Sequence, residues 1–344
     1  YPTGGQGSGP GPRFRADGLG SANSVVLSKN NKWLFVVNGK SNSLSVFRVH
    51  EYGLELTDVV ASGGEFPNSI TVRRNRVYVM NSGGDGNLTG FTLRGNGTLE
   101  PIPNSTRELD GNQSNPPDAL FNHATISFTP DGKFLVVSIK DGPAIEGSTG
   151  PGRILTFRVR RGVPSATAVV TTVDNRGPFG FDFDDHGNLL VAEFVGGPEL
   201  TGAAGSYRIN HDGTLTEITV GVGNGQIDTC WLITNGRYAY GSNFGTDNIS
   251  SYTVGEDGSL TLLNPTAATT VNSTTFPLDL GITPSGRYLY LVQPGDGQIG
   301  SYRINNDGSL TDLGAAAGLE PTADAEPAEP FSMEGGSPAG IAVY

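Results

Sequence analysis

Asp212-Gly213-Thr214-Leu215, Asp257-Gly258-Ser259-Leu260 and Asp307-Gly308-Ser309-Leu310 are three copies of one hairpin, and their reading decides the fold. Asp-Gly between apolar flanks marks a tight turn joining antiparallel strands. Before each hairpin lies a strand: Ser206–Ile209, Ile249–Val254 or Ile299–Ile304. Before that comes a largely apolar strand such as Tyr288–Val292, and before that an opening strand. Working outward, the opening strand recurs seven times, at Asn23–Ser28, Asn68–Arg73, Ala124–Thr129, Phe179–Asp184, Thr229–Thr234, Leu278–Thr283 and Pro338–Val343. The first six each lead into four strands. A period of roughly 45–55 residues falls among propeller repeats.

The expected architecture is therefore all-β: a seven-bladed β-propeller whose seventh blade is represented only by its inner strand. It forms a single domain over 1–344, with blades at 22–62, 67–103, 122–174, 178–221, 227–264 and 277–314, then 337–344. The 51 glycines and 22 prolines sit in turns, without the three-residue period of collagen. A formal charge of −12 with 22 basic residues argues against nucleic acid and acidic membrane surfaces as partners. Cys230 stands alone, so no internal disulfide forms. Six N-x-S/T sequons, at Asn87, Asn96, Asn104, Asn112, Asn248 and Asn272, fall in expected loops and turns and suggest a secreted glycoprotein.

In a propeller, the turns between strands one and two and between strands three and four share the bottom rim. The short turns Asp131-Gly132, His186-Gly187, Asn235-Gly236 and Ser285-Gly286 belong there. The long segments Asn104–Phe121, Lys140–Arg153, Val195–Gly205 and Ala315–Gly336 then collect at the top, where loops of this length point to function or disorder. Top-rim positions opening strand one are Asn23, Asn68, His123, Phe179, Asp228 and Asp279. Those closing strand two are Asn38, Asn81, Ser138, Glu193, Asn243 and Gln293. Polar groups converging on a concavity form a default site, against the plainer reading that they cap strand ends.

His50, His186 and His211 face the bottom, which leaves His123 as the top-rim imidazole, a candidate general base or a structural histidine. Glu193 is the one carboxylate among the strand-two ends. It could be a base, an orienter of His123, a metal ligand with Asn243 and Asp228, or a solvated acid. Cys230 reads as core, since a reactive thiolate needs an electropositive setting.

Phe128-Thr129-Pro130-Asp131-Gly132-Lys133-Phe134-Leu135-Val136-Val137 and Ile282-Thr283-Pro284-Ser285-Gly286-Arg287-Tyr288-Leu289-Tyr290 resemble the repeats of seven-bladed lactonase propellers, the family of 6-phosphogluconolactonase and carboxymuconate cyclase relatives. The secreted fungal-type branch looks closest. Cytosolic members carry Gly-Pro-Arg-His opening a blade; here the similar place reads Gly177-Pro178-Phe179-Gly180, without the anion-holding Arg. The resemblance thus implies a secreted lactonase opening a neutral sugar (aldono-) lactone. His123 or Glu193 would be the base, and Asn38, Asn243, Gln293, Asp228 and Phe179 would bind substrate. No cofactor is required, and a divalent cation at the mouth is left open. The alternatives are a non-catalytic glycan- or protein-binding propeller and a muconate-type lactonizing cyclase. The cyclase would need cations at the mouth, and the sequence offers few: Lys40, Lys140 and Arg153. The expected partner is a small lactone or sugar. A cleaved N-terminal peptide completing blade seven is a further expectation, because the chain opens at Tyr1-Pro2 in the manner of a trimmed protein.

Overall fold

The computed structural model describes residues 1–8, 16–111, 115–120, 122–140, 150–173, 176–195, 201–270, 275–319 and 339–344. Among them are six antiparallel sheets in chain order around a ring. Blade one comprises β1 (Val25–Leu27), β2 (Trp33–Asn38), β3 (Ser43–His50) and β4 (Gly53–Ala61). Blade two comprises β5 (Pro67–Arg73), β6 (Arg76–Asn81) and β7 (Asn87–Leu93), with its outer strand split into β8 (Leu99–Pro101) and β9 (Arg107–Glu108). Pro101 and Pro103 lack the N–H that an unbroken ladder needs. Blade three has β10 (His123–Phe128), β11 (Phe134–Ile139), β12 (Gly152–Arg160), β13 (Val163–Pro164) and β14 (Val169–Val173). Blade four has β15 (Pro178–Phe183), β16 (Leu189–Glu193), β17 (Ala203–Ile209) and β18 (Leu215–Gly223). Blade five has β19 (Thr229–Thr234), β20 (Tyr238–Asn243), β21 (Asn248–Val254) and β22 (Leu260–Thr269). Blade six has β23 (Leu280–Ile282), β24 (Tyr288–Gln293), β25 (Gln298–Ile304) and β26 (Leu310–Ala317). The third strands of blades two and four thus begin three residues earlier than their sequence pattern indicates, at Asn87 and Ala203.

Second strands read as unbroken apolar runs because both of their faces are covered by neighbouring blades. Along β11, Leu135 and Val137 pack toward Met80 and Leu88 of blade two, while Val136 between them packs toward Leu189 and Val191 of blade four. Each such side chain contributes about 1.5–3 kcal/mol on full burial.

The repeated Asp-Gly hairpins join one blade to the blade before it. Asp257 Oδ1 accepts from Ser259 N at 3.0 Å, and Asp307 Oδ1 accepts from Ser309 N at 3.0 Å, closing the turns. Gly213, Gly258 and Gly308 have φ of 97°, 87° and 83°, where a side chain is strained. The carbonyls of Gly213 and Gly308 also receive hydroxyls from the preceding blade. Thr156 Oγ1 donates to Gly213 O at 2.6 Å, and Tyr240 OH donates to Gly308 O at 3.0 Å. Tyr78 OH makes the same contact with Gly162 O at 2.6 Å.

The seventh opening strand falls partly outside the described residues, at Pro338. Residues 339–344 carry no strand ladder, and no second strand among the described residues is present to form one. They nevertheless occupy the seventh position. Ala339 and Ile341 pack against the core of blades five and six, a Cβ on Gly340 would meet Ser24 and Val25 of blade one, and one on Gly281 of blade six would meet Val343. The buried Asp279 carboxylate accepts backbone N–H groups from Asn23 and Ile341, so it ties blade six, this segment and blade one together. Residues 1–7 run along the outer face of blade one: Ser45 Oγ donates to Thr3 O at 2.7 Å, and Lys40 N donates to Gly7 O at 3.1 Å.

Candidate functional site

Strand register sorts the top-rim side chains. Pro67 pairs with Asn81, His123 with Ile139, Pro178 with Glu193 and Thr229 with Asn243. The blade-three counterpart of Glu193 and Asn243 is therefore Ile139, and Ser138 lies one place earlier. A one-residue shift reverses the face. Ser138 Oγ donates to Phe179 O at 2.6 Å, and its true equivalent, Ser242 Oγ, donates to Leu278 O at 2.7 Å. Both serines bridge to the inner strand of the next blade.

The strand-two ends themselves turn into the blades. Asn38 Nδ2 donates to Ser45 Oγ at 2.8 Å. Asn243 Nδ2 donates to Asn248 Oδ1 at 2.6 Å and Ser250 Oγ at 2.9 Å, while its Oδ1 accepts from Thr229 Oγ1 at 2.6 Å. Gln293, 1 % exposed, lies against Gly300. Glu193 is fully buried, with Arg176 Nη1 at 3.2 Å and Tyr207 OH donating at 3.1 Å; Arg176 also reaches Glu217 at 2.7 Å. Burial pushes the Glu193 carboxyl up, against the pull of Arg176. Its cationic partner is thus a guanidinium, and among the described residues no cluster of His, Cys, Asp and Glu could hold a metal ion. Glu193 and Asn243, offered with Asp228 as a ligand set, sit in separate hydrogen-bond networks.

His123 is likewise enclosed. Its Nδ1 lies 3.2 Å from Ser82 Oγ, and its ring fills the space that side chains on Gly86 and Gly111 would take. Burial first, then Arg153, pushes its pKa down to about 3, so the ring is neutral at physiological pH. Neither His123 nor Glu193 lines the cavity at the mouth.

That cavity is built from the residues following strand two. Lys140, Phe194 and Phe244 each stand one place beyond Ile139, Glu193 and Asn243 and turn to the axis, where they meet Phe179, Asp228 and Cys230 from the inner strands and loops. Asp17, Ala119 and Leu120 close it above. Lys140, 1 % exposed, donates from Nζ to Gly20 O at 2.6 Å and lies 4.1 Å from the centre of the Phe179 ring. Burial lowers its pKa from 10.5 to about 8, opposed by Asp17, Cys230, Asp118 and Asp228. Burial raises Asp17 to about 6, countered by Lys140, and Gly20 N donates to its Oδ1 at 2.8 Å. Asp228 is raised by burial and eased by Lys140, and it takes a left-handed φ of 56°. The Cys230 thiol is pushed well up by burial, so it stays protonated. The space within it open to water is about 30 Å³, room for about two water molecules.

Of the residues picked out from sequence, the structure brings Asp228 and Phe179 to this cavity, together with Cys230. It places His123, Glu193, Asn38, Asn243 and Gln293 within the packing of the blades. Sequence reasoning named Lys140 only as one of a few cations at the mouth, and it did not single out Asp17, Phe194 or Phe244. The signal available for three of them was the position one past each second strand, once the register was right. Among the sequons, Asn96 and Asn104 are exposed. Asn87 is half-buried and accepts from Asn81. Asn248 is buried with Nδ2 donating to Gln226 Oε1 at 2.7 Å, a bond that a glycan would break. Asn112 and Asn272 lie outside the described residues, as do most of the long top loops.

Residues 223–323 match the family described as lactonase, 7-bladed beta-propeller. An uncharacterized protein of Staphylococcus saprophyticus is 30 % identical over 100 residues, 28 % of this chain and 29 % of that protein's length. A proposed 6-phosphogluconolactonase of Bacteroides uniformis superposes with a TM-score of 0.67 at 21 % identity, covering 87 % of this chain and 86 % of the other. One from Bacteroides fragilis gives 0.65 at 20 % identity, covering 87 % and 85 %. At these identities the structural likeness establishes the fold.

Proposed function

We propose that this chain hydrolyses a neutral sugar lactone at the mouth of its channel, and that it does so outside the cell. The observation that carries the reading is the convergence of the buried Lys140 amine and the half-buried Asp228 carboxylate among Phe179, Phe194 and Phe244. The matched stretch 223–323 includes Asp228, Cys230 and Phe244 of this cavity. With a pKa of about 8, Lys140 is mostly protonated at pH 7 and can hold the negative oxygen that forms at the lactone carbonyl. The Asp228 carboxylate accepts the proton of the attacking water. The tetrahedral adduct then collapses, the ring C–O bond breaks, and the departing oxygen takes a proton to give the open hydroxy acid. Asp17 and Asp228 set two carboxylates against the one amine of Lys140, which disfavours an anionic substrate and suits an uncharged one. The exposed sequons Asn96 and Asn104 support export.

Turnover of a panel of neutral aldonolactones, with and without chelator, tests this. Asp228→Asn lowers kcat by roughly 10²-fold or more if the carboxylate is the base, and Lys140→Met lowers it comparably. A parent protein inactive on every lactone sinks the reading. One observation favours the rival, a non-catalytic binding propeller: the cavity as it stands has room for about two waters and not for a sugar. Under the lactonase reading Ala119 and Leu120 must yield, and Leu120→Ala lowers KM; a KM unmoved by that change favours the rival.

A further inference from the structure

On the bottom face, away from the proposed site, a basic groove runs from the channel mouth outward over the junction of blades two and three. Its inner part, a cavity of about 650 Å³, lies among the inner-strand ends and carries Lys29, Arg73 and Arg74. Its outer part, about 410 Å³, carries Arg73, Arg74, Arg76 and Arg161. Both volumes lie in the range of ligand pockets. Five cations thus line one groove in a chain of net charge −12, and no carboxylate lines either part. None of the five is ion-paired among the described residues. Arg73 Nη2 donates to Pro130 O at 3.2 Å and Arg76 Nη1 to Thr92 Oγ1 at 2.9 Å, which anchor each guanidinium at one nitrogen and leave its other N–H groups for a ligand. Asp131, on the rim, is held by Lys133 at 2.8 Å.

The two exposed tips carry a second, independent signal. Arg74 is the first residue of the two-residue turn between β5 and β6, and Arg161 the first of the turn between β12 and β13. Both have left-handed φ, 56° and 54°. Glycine, asparagine or aspartate takes such positions with little cost, whereas a long side chain is strained there by roughly 1–3 kcal/mol. Two neighbouring turns accept that cost with the same residue, and both side chains line the same groove.

We propose that this groove binds an acidic oligosaccharide, a chain of sugars bearing carboxylate or sulfate groups. Guanidinium forks match such planar or trigonal anions. Between them lie the amides of Asn30 and Asn75 and the hydroxyl of Ser127, suited to sugar hydroxyls. Single-stranded nucleic acid would need exposed aromatic platforms, and the aromatic side chain here, Phe128, is 8 % exposed. A membrane would need apolar groups to insert, and none of the exposed large hydrophobic side chains lines the groove.

The test uses the full chain and titration calorimetry at low ionic strength with oligogalacturonate, a heparin-derived oligosaccharide, inorganic sulfate and single-stranded DNA. Arg74→Asn with Arg161→Asn removes both tips, and asparagine relieves the backbone, so the double variant melts at or above the parent temperature. Binding of oligogalacturonate, of the heparin fragment or of both, weakened at least tenfold in the double variant, bears the proposal out and tells carboxylate from sulfate. The proposal is overturned by a parent protein that binds neither oligosaccharide, by a double variant that binds as the parent does, by inorganic sulfate binding as tightly as the oligosaccharides, or by DNA binding more tightly than both with the same dependence on the two arginines.

Discussion

The carboxylate of Glu193 occupies the space a side chain on Gly205 would fill: a Cβ there would stand 2.6 Å from Oε1. Where the strand-two end is the shorter asparagine, the facing residue is larger: Ser45 opposite Asn38, and Ser250 opposite Asn243. Where it is longer, the facing residue is glycine, for Gln293 lies against Gly300 in the same way. The variation between blades is a matter of volume conserved across the pair.

Gly205→Ser alone should therefore lower the melting temperature, since overpacking costs about 1–3 kcal/mol. Glu193→Asn with Gly205→Ser rebuilds the pair found in blades one and five. Thermal melts of the single and double variants should give a favourable coupling of about 0.5–3 kcal/mol. Additive losses would mean that Arg176 and Tyr207 set the cost.

The pH dependence of stability follows from the buried acids. Burial raises Asp279 from 3.8 to about 7, and Asp17 and Asp182 to about 6. Each binds its proton more tightly folded than unfolded, so its contribution is fully present below about pH 4 and is lost as pH rises through 6 to 7. The melting temperature should fall between pH 5 and pH 8, and Asp279→Asn, which keeps an acceptor for Asn23 and Ile341, should flatten that fall. A parent protein that melts highest at pH 8 would contradict this.

Gly308→Ala should destabilise the chain by more than 1 kcal/mol, because φ of 83° strains the alanine and its Cβ would stand 2.4 Å from the Tyr238 ring. Gly187→Ala, also at positive φ but with open space around it, carries the backbone cost alone. Denaturant titration of the two variants separates strain from collision.

His123→Ala should act on stability and leave chemistry alone. Removing the buried ring leaves a cavity beside Gly86 and Gly111, at a cost of about 2–5 kcal/mol. Turnover of the folded fraction should stay within about threefold of the parent if the base is Asp228. A loss of roughly 10²-fold in kcat without a change in melting temperature would return the role to His123.

The fold was legible because its determinants are local. Gly-containing hairpins, Asp-Gly in blades four to six, and apolar second strands mark each blade without reference to any other blade. The site was less so. Ser138 was aligned with Asn243 because both are polar and end a strand, yet only pairing register shows that Ser138 belongs with Ser242. Polarity at a strand end does not say which way a side chain points. Lys140 was legible as a cation at the mouth, but its burial beneath Asp17 and Leu120 depends on segments with no repeat pattern. Ladder formation at 339–344 likewise depends on a neighbouring strand and not on the apolar pattern of the segment itself.

The hydroxyls that reach from one blade to the hairpin of the next give assembly a direction. Thr156 of blade three waits for Gly213 of blade four, and Tyr240 of blade five for Gly308 of blade six. During synthesis from the N-terminus, a blade that carries such a donor emerges before its acceptor has been made. At these junctions the new blade completes its predecessor, and the one most recently released from the ribosome is left unfinished. A synthesis stalled partway would therefore present a frayed leading blade behind which the earlier ones are already locked.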